Sequence, residues 1–347
     1  VTGAVRVLVA MSGGVDSSVA AALLLEEGHE VVGVTLKLWG GPSDSGCCSV
    51  ADVDDARRVA DRLGIDHHVF NLGDAFDAHV VAPYVEAHVA GRTPNPCVEC
   101  NRHVKFDLLL QRADVLGFDL LATGHHARVV ERPDGTRRVA RGADHAKDQS
   151  YVVHMLVQAQ LARVRFPVGH LTKEAVRDQA RRLGLRTADK PDSQDVCFIT
   201  ASAGRRAFLG SRIPLRPATV VDTSGAVVGS VDAVELVTIG QRKGLDLAGG
   251  AARRYVVDVD PAAGTVVVGG PDELLAASVR LGGVVWADGP VQGAVLAQVS
   301  AHGEAAPARF GDGLLTWDAP RRRVAPGQSV VLYEGDEVVG AGTAEPG

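Results

Sequence analysis

Long apolar runs are missing from this 347-residue chain. Val19–Leu25 stops at Glu26 and Val31–Trp39 is interrupted by Lys37, so nothing approaches the ~20 residues of a membrane helix. The first residues carry neither a basic segment nor a small-residue cleavage site, and a cytoplasmic location is the expectation. Cysteine is sparse: five thiols, at positions 47, 48, 97, 100 and 197. An odd number in a large chain argues against a disulfide framework and leaves catalytic, metal-binding or inert roles. Internal repeats and low-complexity tracts are absent as well. What is present is ordinary globular material, 46% hydrophobic and 22% charged, enough for two to three domains at roughly 150 residues each.

The net charge of −6 hides an asymmetry. Met155–Arg216 holds twelve Lys/Arg against five Asp/Glu. A localised basic face on an acidic protein binds polyanions within about a Debye length, and an ordinary solvated arginine-rich helix would look the same.

Roughly the first 200 residues alternate strand and helix. Val5–Ala10 reads as a buried parallel strand, Ser17–Glu27 as a helix, Val31–Leu38 as the second strand. Ser49 is placed to cap a helix to Leu63 with Gly64 as its stop. His67–Asn71, a helix over Ala75–His88, an amphipathic helix from about Asn101 to Leu116, and a strand at Leu120–Thr123 follow. This rhythm predicts an α/β fold, a parallel sheet with helices on both faces. Beyond Gly204 the pattern turns to hairpins around Ser224-Gly225 and Ala263-Gly264. From Val284 short strands recur about every ten residues: Gly293–Val299, Ala306–Phe310, Leu314–Trp317, Ser329–Tyr333 and Val338–Gly342. The expected layout is a catalytic unit over 1–203, a small β-rich module over 204–275, and an antiparallel β-barrel over 276–347.

The chemistry starts where the first strand runs into Met11-Ser12-Gly13-Gly14-Val15-Asp16-Ser17-Ser18 and a helix. Glycines admit an anion close to the backbone, and the helix start offers free N–H donors. Asp16 would repel a bare phosphate, which points to a bridging Mg²⁺. The loop has neither the Gly-Lys-Ser/Thr ending of a Walker A site nor a Gly-x-Gly-x-x-Gly fingerprint. It resembles the pyrophosphate-binding loop of the PP-loop ATP pyrophosphatases. That resemblance implies the adenine nucleotide alpha hydrolase-like fold, cleavage of ATP between α- and β-phosphates, and adenylation of a carbonyl-type oxygen. Ala10, Met11, Ser12, Gly13, Gly14, Val15, Asp16 and Ser17 are then the phosphate-side residues.

Two further segments carry cysteines: Thr93-Pro94-Asn95-Pro96-Cys97-Val98-Glu99-Cys100-Asn101 and Asp192-Ser193-Gln194-Asp195-Val196-Cys197-Phe198-Ile199. Cys100, just ahead of the predicted Asn101 helix, would gain thiolate character from the helix dipole; a buried, inert thiol is the alternative. Cys47 and Cys48 sit in a Gly/Ser loop and read as incidental or structural. Together with Ala122–His126, Asp144–Tyr151, Phe166–Gly169, Gly240–Leu245 and Ala325–Val331, these segments resemble the bacterial tRNA-specific 2-thiouridylases along essentially the whole chain.

The resemblance implies that ATP with Mg²⁺ activates O2 of the wobble uridine of tRNAs for Lys, Glu and Gln. A Cys197 persulfide, charged by a sulfur-relay protein or cysteine desulfurase, delivers sulfur directly or as hydrosulfide, and Cys100 resolves it through a transient disulfide. That bond needs the two Cα atoms within about 7 Å. By the same carry-over Leu36 and Gly124 flank the adenine. Asn95, Pro96, Cys97, Lys147, Asp148 and Gln149 meet the tRNA, whose target base must be flipped out. Many relatives have Asp where this chain has Cys97. The trio Cys97, Cys100 and Cys197 therefore offers a second expectation, an iron–sulfur cluster with three protein ligands. In the barrel, an Arg-Tyr pair of the family is replaced by Ala301-His302-Gly303-Glu304, which shifts tRNA binding toward Arg205, Arg206, Arg242 and Lys243. An amide-forming ligase or an ATP sensor would explain the loop alone, and a pure RNA-binding module would explain only the basic stretch and barrel.

Overall fold

In a computed structural model, which describes residues 3–38, 49–192, 196–199, 204–247 and 253–347, the early strands form one sheet. These are β1 (Arg6–Ala10), β2 (Glu30–Lys37), β3 (His67–Asn71) and β4 (Leu120–Thr123). After a hairpin of β5 (Ala127–Glu131) and β6 (Arg137–Arg141), β7 (Val164–Arg165) completes it in the order β3-β2-β1-β4-β7. All four pairings are parallel. Both faces of the central strands are covered, so β1, β2 and β4 are apolar nearly throughout, while the edge strand β3 is largely exposed. Val7 and Val9 enter one core with α1 (Val15–Glu26) and α2 (Val50–Leu63). Leu8, Val34 and Leu36 enter the other with the helical runs α3 (73–89) and α4 (96–115), while α5 (Lys173–Arg182) returns to the first.

Local chemistry sets the helix ends. Ser49 closes a capping box with Asp52, and Gly64 ends α2 in the left-handed region at φ 71°. Caps of this kind contribute about 1 kcal/mol. Two helices begin earlier than the sequence pattern predicts. In α1 the first turn contains Ser17 and Ser18, whose hydroxyls donate back to the Gly14 carbonyl. In α4 the Asn95 side chain accepts from the Cys97 N–H at 3.0 Å and Pro96 takes the first helical position, where its missing N–H costs nothing. Cys100 therefore lies one turn inside the helix rather than ahead of it. Both long helices contain π-helical turns, Asp77–Val81 and Cys100–Leu108.

Two further sheets follow. β8 (Ala218–Asp222), β9 (Val227–Val231), β10 (Asp246–Leu247), β11 (Tyr255–Asp260) and β12 (Thr265–Gly269) order as β10-β9-β8-β12-β11. β13 (Leu275–Trp286), β14 (Gly293–Gln298), β15 (Ala306–Gly311), β16 (Leu314–Arg322), β17 (Ser329–Glu334) and β18 (Glu337–Ala344) close into an antiparallel barrel through the β13–β18 pairing. The periodic pattern does not announce β13, of whose twelve residues only Leu281 is buried. Nor does it announce that the β5–β6 hairpin extends the barrel sheet, with Ala140 opposite Glu337. Val331, Tyr333, Val338 and Ala341 share one apolar core with Leu8, Phe106 and Tyr151, so the barrel is packed onto the parallel-sheet unit. Among the described residues no helix is long and apolar enough to cross a membrane. Cys47 and Cys48 lie outside the described residues.

Candidate active site

Strand order reverses at β1: β2 lies on one side and β4 on the other. Ligands of open α/β sheets bind beyond the strand ends at such a point. The loop after β1 packs so tightly on the start of α2, and the loop after β4 on the start of α1, that two glycines are obligatory. A Cβ on Gly13, at φ 72°, would lie 2.3 Å from the Asp52 carbonyl oxygen, and one on Gly124 would lie 2.5 Å from the Ser17 nitrogen. Ser12 N–H donates to Ser17 Oγ at 3.2 Å, which folds the loop over the start of α1.

A cavity of about 440 Å³ opens here. Met11, Val34, Leu36 and Leu38 give it an apolar side. Ala10, Ser12, Gly14, Val15, Asp16, Ser17 and Gly124 line it too, as do Lys147, Asp148 and Gln149. Gly13 stands behind the wall. Four lysines also face the cavity: Lys105, Lys147, Lys173 and Lys190. An apolar slot beside concentrated cationic and N–H donors suits an adenine nucleotide.

The charges are mutually paired. Lys173 Nζ lies 2.8 and 2.7 Å from the two Asp16 oxygens and 2.8 Å from Asp192 Oδ1. Asp16 also meets His126 Nε2 at 3.0 Å. Asp192 receives Lys147 at 2.9 Å and Arg177 at 3.0 Å. Burial opposes ionisation of both acids. Hydrogen bonds from His126 and Lys173 nonetheless hold Asp16 below the usual carboxylate range, and those from Lys173 and Lys147 bring Asp192 to about 2. Lys190 binds the Gly13 carbonyl at 3.0 Å and Asp52 and Asp55 at 2.7 Å each. Burial works against its charge, but the two carboxylates raise its pKa overall. His125, beside Thr123 Oγ1 at 2.6 Å, is held well below the ordinary histidine range by burial and stays neutral. Asp16 and Asp192 present three oxygens to one cationic nitrogen, a donor set that fits Mg²⁺ held together with substrate phosphates.

The thiols lie elsewhere. Cys100 is buried in the core shared with Phe106 and Tyr151, and Cys197 packs half-buried against that same core. Phe198 anchors its neighbour on Tyr84, Phe208 and Phe76, with ring centroids 5.4, 4.9 and 5.7 Å away. Neither cysteine lines the cavity. Cys97 is exposed. Among the described residues no three His, Cys, Asp or Glu side chains converge on a metal position. Cys97, Cys100 and Cys197 thus do not fit the iron–sulfur cluster that their count allowed: one faces solvent while another is buried in apolar packing.

The basic stretch is likewise not one open face. Lys173 and Lys190 turn into the cavity, while Arg163 pairs with Asp114, Arg182 with Glu26 and Arg216 with Glu235. Arg205 donates to the Leu236 carbonyl at 2.6 Å, and Arg206 lies 3.6 Å from Asp232. Both border a second cavity of about 320 Å³. Arg242 and Lys243 are exposed beside it. Asp148 is almost covered: Arg141, the Gly142 and Ser150 N–H groups and the Ser150 hydroxyl all bond it. Gln149 Oε1 accepts from the His126 N–H at 2.9 Å. Asn95 caps α4, with Pro96 buried beneath it.

Sequence reasoning missed Lys173, Lys190, Asp192, His126 and Asp52 as cavity residues. Only Asp192, first residue of the second cysteine segment, and His126, last of the Ala122–His126 segment, lay in stretches that the sequence singled out. The others come together through packing of distant segments.

Fold and site define a class: a PP-loop nucleotide-binding unit joined to two β-rich modules. Comparison with known proteins narrows it. Residues 5–201 match the family model described as the tRNA methyl transferase HUP domain. Residues 206–270 match the tRNA methyl transferase PRC-barrel domain, and 296–344 the aminomethyltransferase beta-barrel domain. The chain is 46% identical to the tRNA-specific 2-thiouridylase MnmA of Carboxydothermus hydrogenoformans, with 99% of each chain covered. It is 49% identical to that of Mycolicibacterium vanbaalenii, over 97% of this chain and 98% of the other. The chain belongs to the tRNA-specific 2-thiouridylase family.

Proposed function

We propose that the protein is an ATP-dependent tRNA sulfurtransferase that converts uridine O2 into a thiocarbonyl, acting on the wobble uridine of tRNAs for Lys, Glu and Gln. The observation that carries this reading is the lysine-ringed cavity over the Ser12–Ser17 loop, whose wall also holds the Lys147–Gln149 segment. In the first half-reaction, uridine O2 attacks the α-phosphate of ATP and pyrophosphate leaves. Backbone N–H groups at the start of α1, with Lys173 and Lys190, stabilise charge developing on the phosphates. Asp16 and Asp192 would hold Mg²⁺, which supplies further charge neutralisation to the same phosphates.

In the second half-reaction the terminal sulfur of a Cys197 persulfide attacks C2 and AMP leaves with the former O2. Cys100 thiolate then attacks Cys197 Sγ, forming a disulfide and releasing the thiolated base. A thiol reductant restores both cysteines, and a sulfur-relay protein or cysteine desulfurase recharges Cys197. Support for separating the roles comes from the placement of both thiols off the cavity wall. Residues 1–203 are the catalytic unit in this reading. Residues 204–275 contact tRNA through Arg205, Arg206, Arg242 and Lys243, and the barrel over 276–347 completes the tRNA path.

Purified protein, wobble-uridine tRNA, ATP-Mg and a sulfide source, followed by nucleoside mass spectrometry, test the proposal. It predicts 2-thiouridine that depends on ATP and on Asp16. RNA recovered without sulfur under the complete mixture would refute it.

A further inference from the structure

Asp16 has two partners of different kinds. Lys173 Nζ lies 2.8 and 2.7 Å from its two oxygens, and His126 Nε2 lies 3.0 Å from Oδ1. The lysine is a point charge on a flexible four-carbon stem, and phosphates entering the cavity compete with Asp16 for it. His126 is a fixed support. It is 3% exposed and sits between β4 and β5, directly before Ala127. Gln149 clasps its backbone twice: Gln149 Oε1 accepts from the His126 N–H, and the Gln149 N–H donates to the His126 carbonyl, each at 2.9 Å. Gly142 closes on the same carbonyl so tightly that a Cβ there would lie 2.6 Å from the oxygen. The ring itself points to one task. A hydrogen bond to a carboxylate requires the proton on Nε2. Nδ1 is buried and, among the described residues, has no hydrogen-bond partner. Leaving a buried ring nitrogen unpaired destabilises a fold, and an apolar residue would fill the same space without that cost. Stability alone therefore does not explain a histidine here, whereas its bond to Asp16 does.

We propose that His126 is a positioning residue for ATP cleavage: its Nε2–H fixes the direction in which the Asp16 carboxylate faces once Lys173 has turned to the phosphates. Gln149 holds His126 in that role, so the clasp ties the Lys147–Gln149 segment to the glycine loop. The inference rests on the functional reading above. Carboxylates that serve a metal ion and phosphates depend on the hydrogen bonds behind them for their orientation. Of the two groups behind Asp16, His126 is the one that the phosphates do not recruit.

The test uses the full-length chain and substitutions chosen by geometry. The amide nitrogen of glutamine lies as many bonds from Cα as imidazole Nε2, and that of asparagine as many as Nδ1. Methionine has the length of glutamine without a donor. Single-turnover AMP formation at saturating ATP-Mg and wobble-uridine tRNA should stay within about threefold of wild type in His126→Gln. It should fall roughly 10- to 100-fold in His126→Asn and His126→Met, the usual cost of losing a partner behind such a carboxylate. Calorimetry without tRNA reads the same contrast in the absence of turnover. The gain in ATP affinity that Mg²⁺ brings should be kept in His126→Gln and should shrink by about threefold or more in His126→Met. In an Asp16→Ala background the His126→Met effect on the rate should vanish to within about twofold, because His126 acts through that carboxylate. If His126→Met does not fold, His126→Asn takes its place in each comparison. A wild-type rate in His126→Met overturns the inference. So does a His126→Gln chain as slow as His126→Met, or a His126→Met effect undiminished by Asp16→Ala, since either would make His126 a packing residue only. A wild-type chain that forms no AMP with tRNA overturns the functional reading and this inference with it.

Discussion

The nucleotide cavity and the thiol region are built on opposite principles. Around the cavity, Lys173 pairs with Asp16 and Asp192, and Lys190 with Asp52, at 2.7–2.8 Å, and the site is electrostatically complete before any phosphate enters. Around Cys100 and Cys197 the packing is apolar, and Phe198 is set among aromatic rings. Charge-stabilising chemistry gains from dipoles and charges fixed in advance. Sulfur transfer gains from a thiol shielded by packing until its partner arrives, and Cys100 is buried while Cys197 is half-covered. In the proposed mechanism, one molecule thus keeps its energy-supplying and sulfur-bearing chemistry in separate environments.

That division should be most visible in Cys197→Ser. Thiolation should fall at least 1,000-fold while single-turnover AMP formation stays within about threefold; a parallel loss would merge the two regions. Asp16→Asn inverts the result: AMP formation should drop roughly 100- to 1,000-fold, as for loss of a charge at a phosphate site, with Cys197 still accepting sulfur from a persulfide donor. Gly124→Ala, which drives a Cβ against the Ser17 nitrogen, should weaken ATP binding about tenfold or more while alkylation rates of Cys197 stay unchanged.

Acid titration separates the regions by stability. His154 lies beneath Tyr151, its Nδ1 2.6 Å from that residue's carbonyl oxygen, and burial lowers its pKa to about 4. Its unfolded value is near 6.5, so the unfolded chain binds the extra proton between those limits. Stability from this site is full above about pH 6.5 and is lost as pH falls toward 4, by about 3 kcal/mol in all. Denaturant melts from pH 7 to 4.5 should show this slope, and His154→Gln should flatten it. Asp192, at about 2, keeps its ion pairs throughout that range. The smallest effect belongs to the periphery: Arg206→Glu with Arg242→Glu should weaken tRNA binding and reduce the slope of log affinity against log salt by about 1 to 2, measured by filter retention.

The fold was legible where its causes are local. The Ser49 cap and Gly64 stop act within one turn, and buried parallel strands advertise themselves as apolar runs. Three features escaped for identifiable reasons. The helix beginning at Pro96 was hidden because the turn-like Thr93–Pro96 composition is also what a cap followed by proline looks like. β13 lacks a clean inside–outside alternation, because it bends between two partner strands with register shifts. The β5–β6 hairpin gives no hint in sequence that it continues a sheet formed nearly two hundred residues later. The same physics governs the site. The glycine loop could be read because it is contiguous, whereas Lys173 and Lys190 looked like surface charges until helix packing brought them to Asp16 and Asp52. The Ala301–Glu304 turn stood out only as a departure from the family's Arg-Tyr pair, and only the docking of the barrel places His302 at the cavity.

Isotope tracing reaches the centre of the account. Uridine labelled with oxygen-18 at O2, placed at the wobble position, should transfer its label to the phosphate of AMP as sulfur enters the base. Label that stays in the RNA, or that appears in pyrophosphate, would contradict the proposal that ATP turns this oxygen into a leaving group.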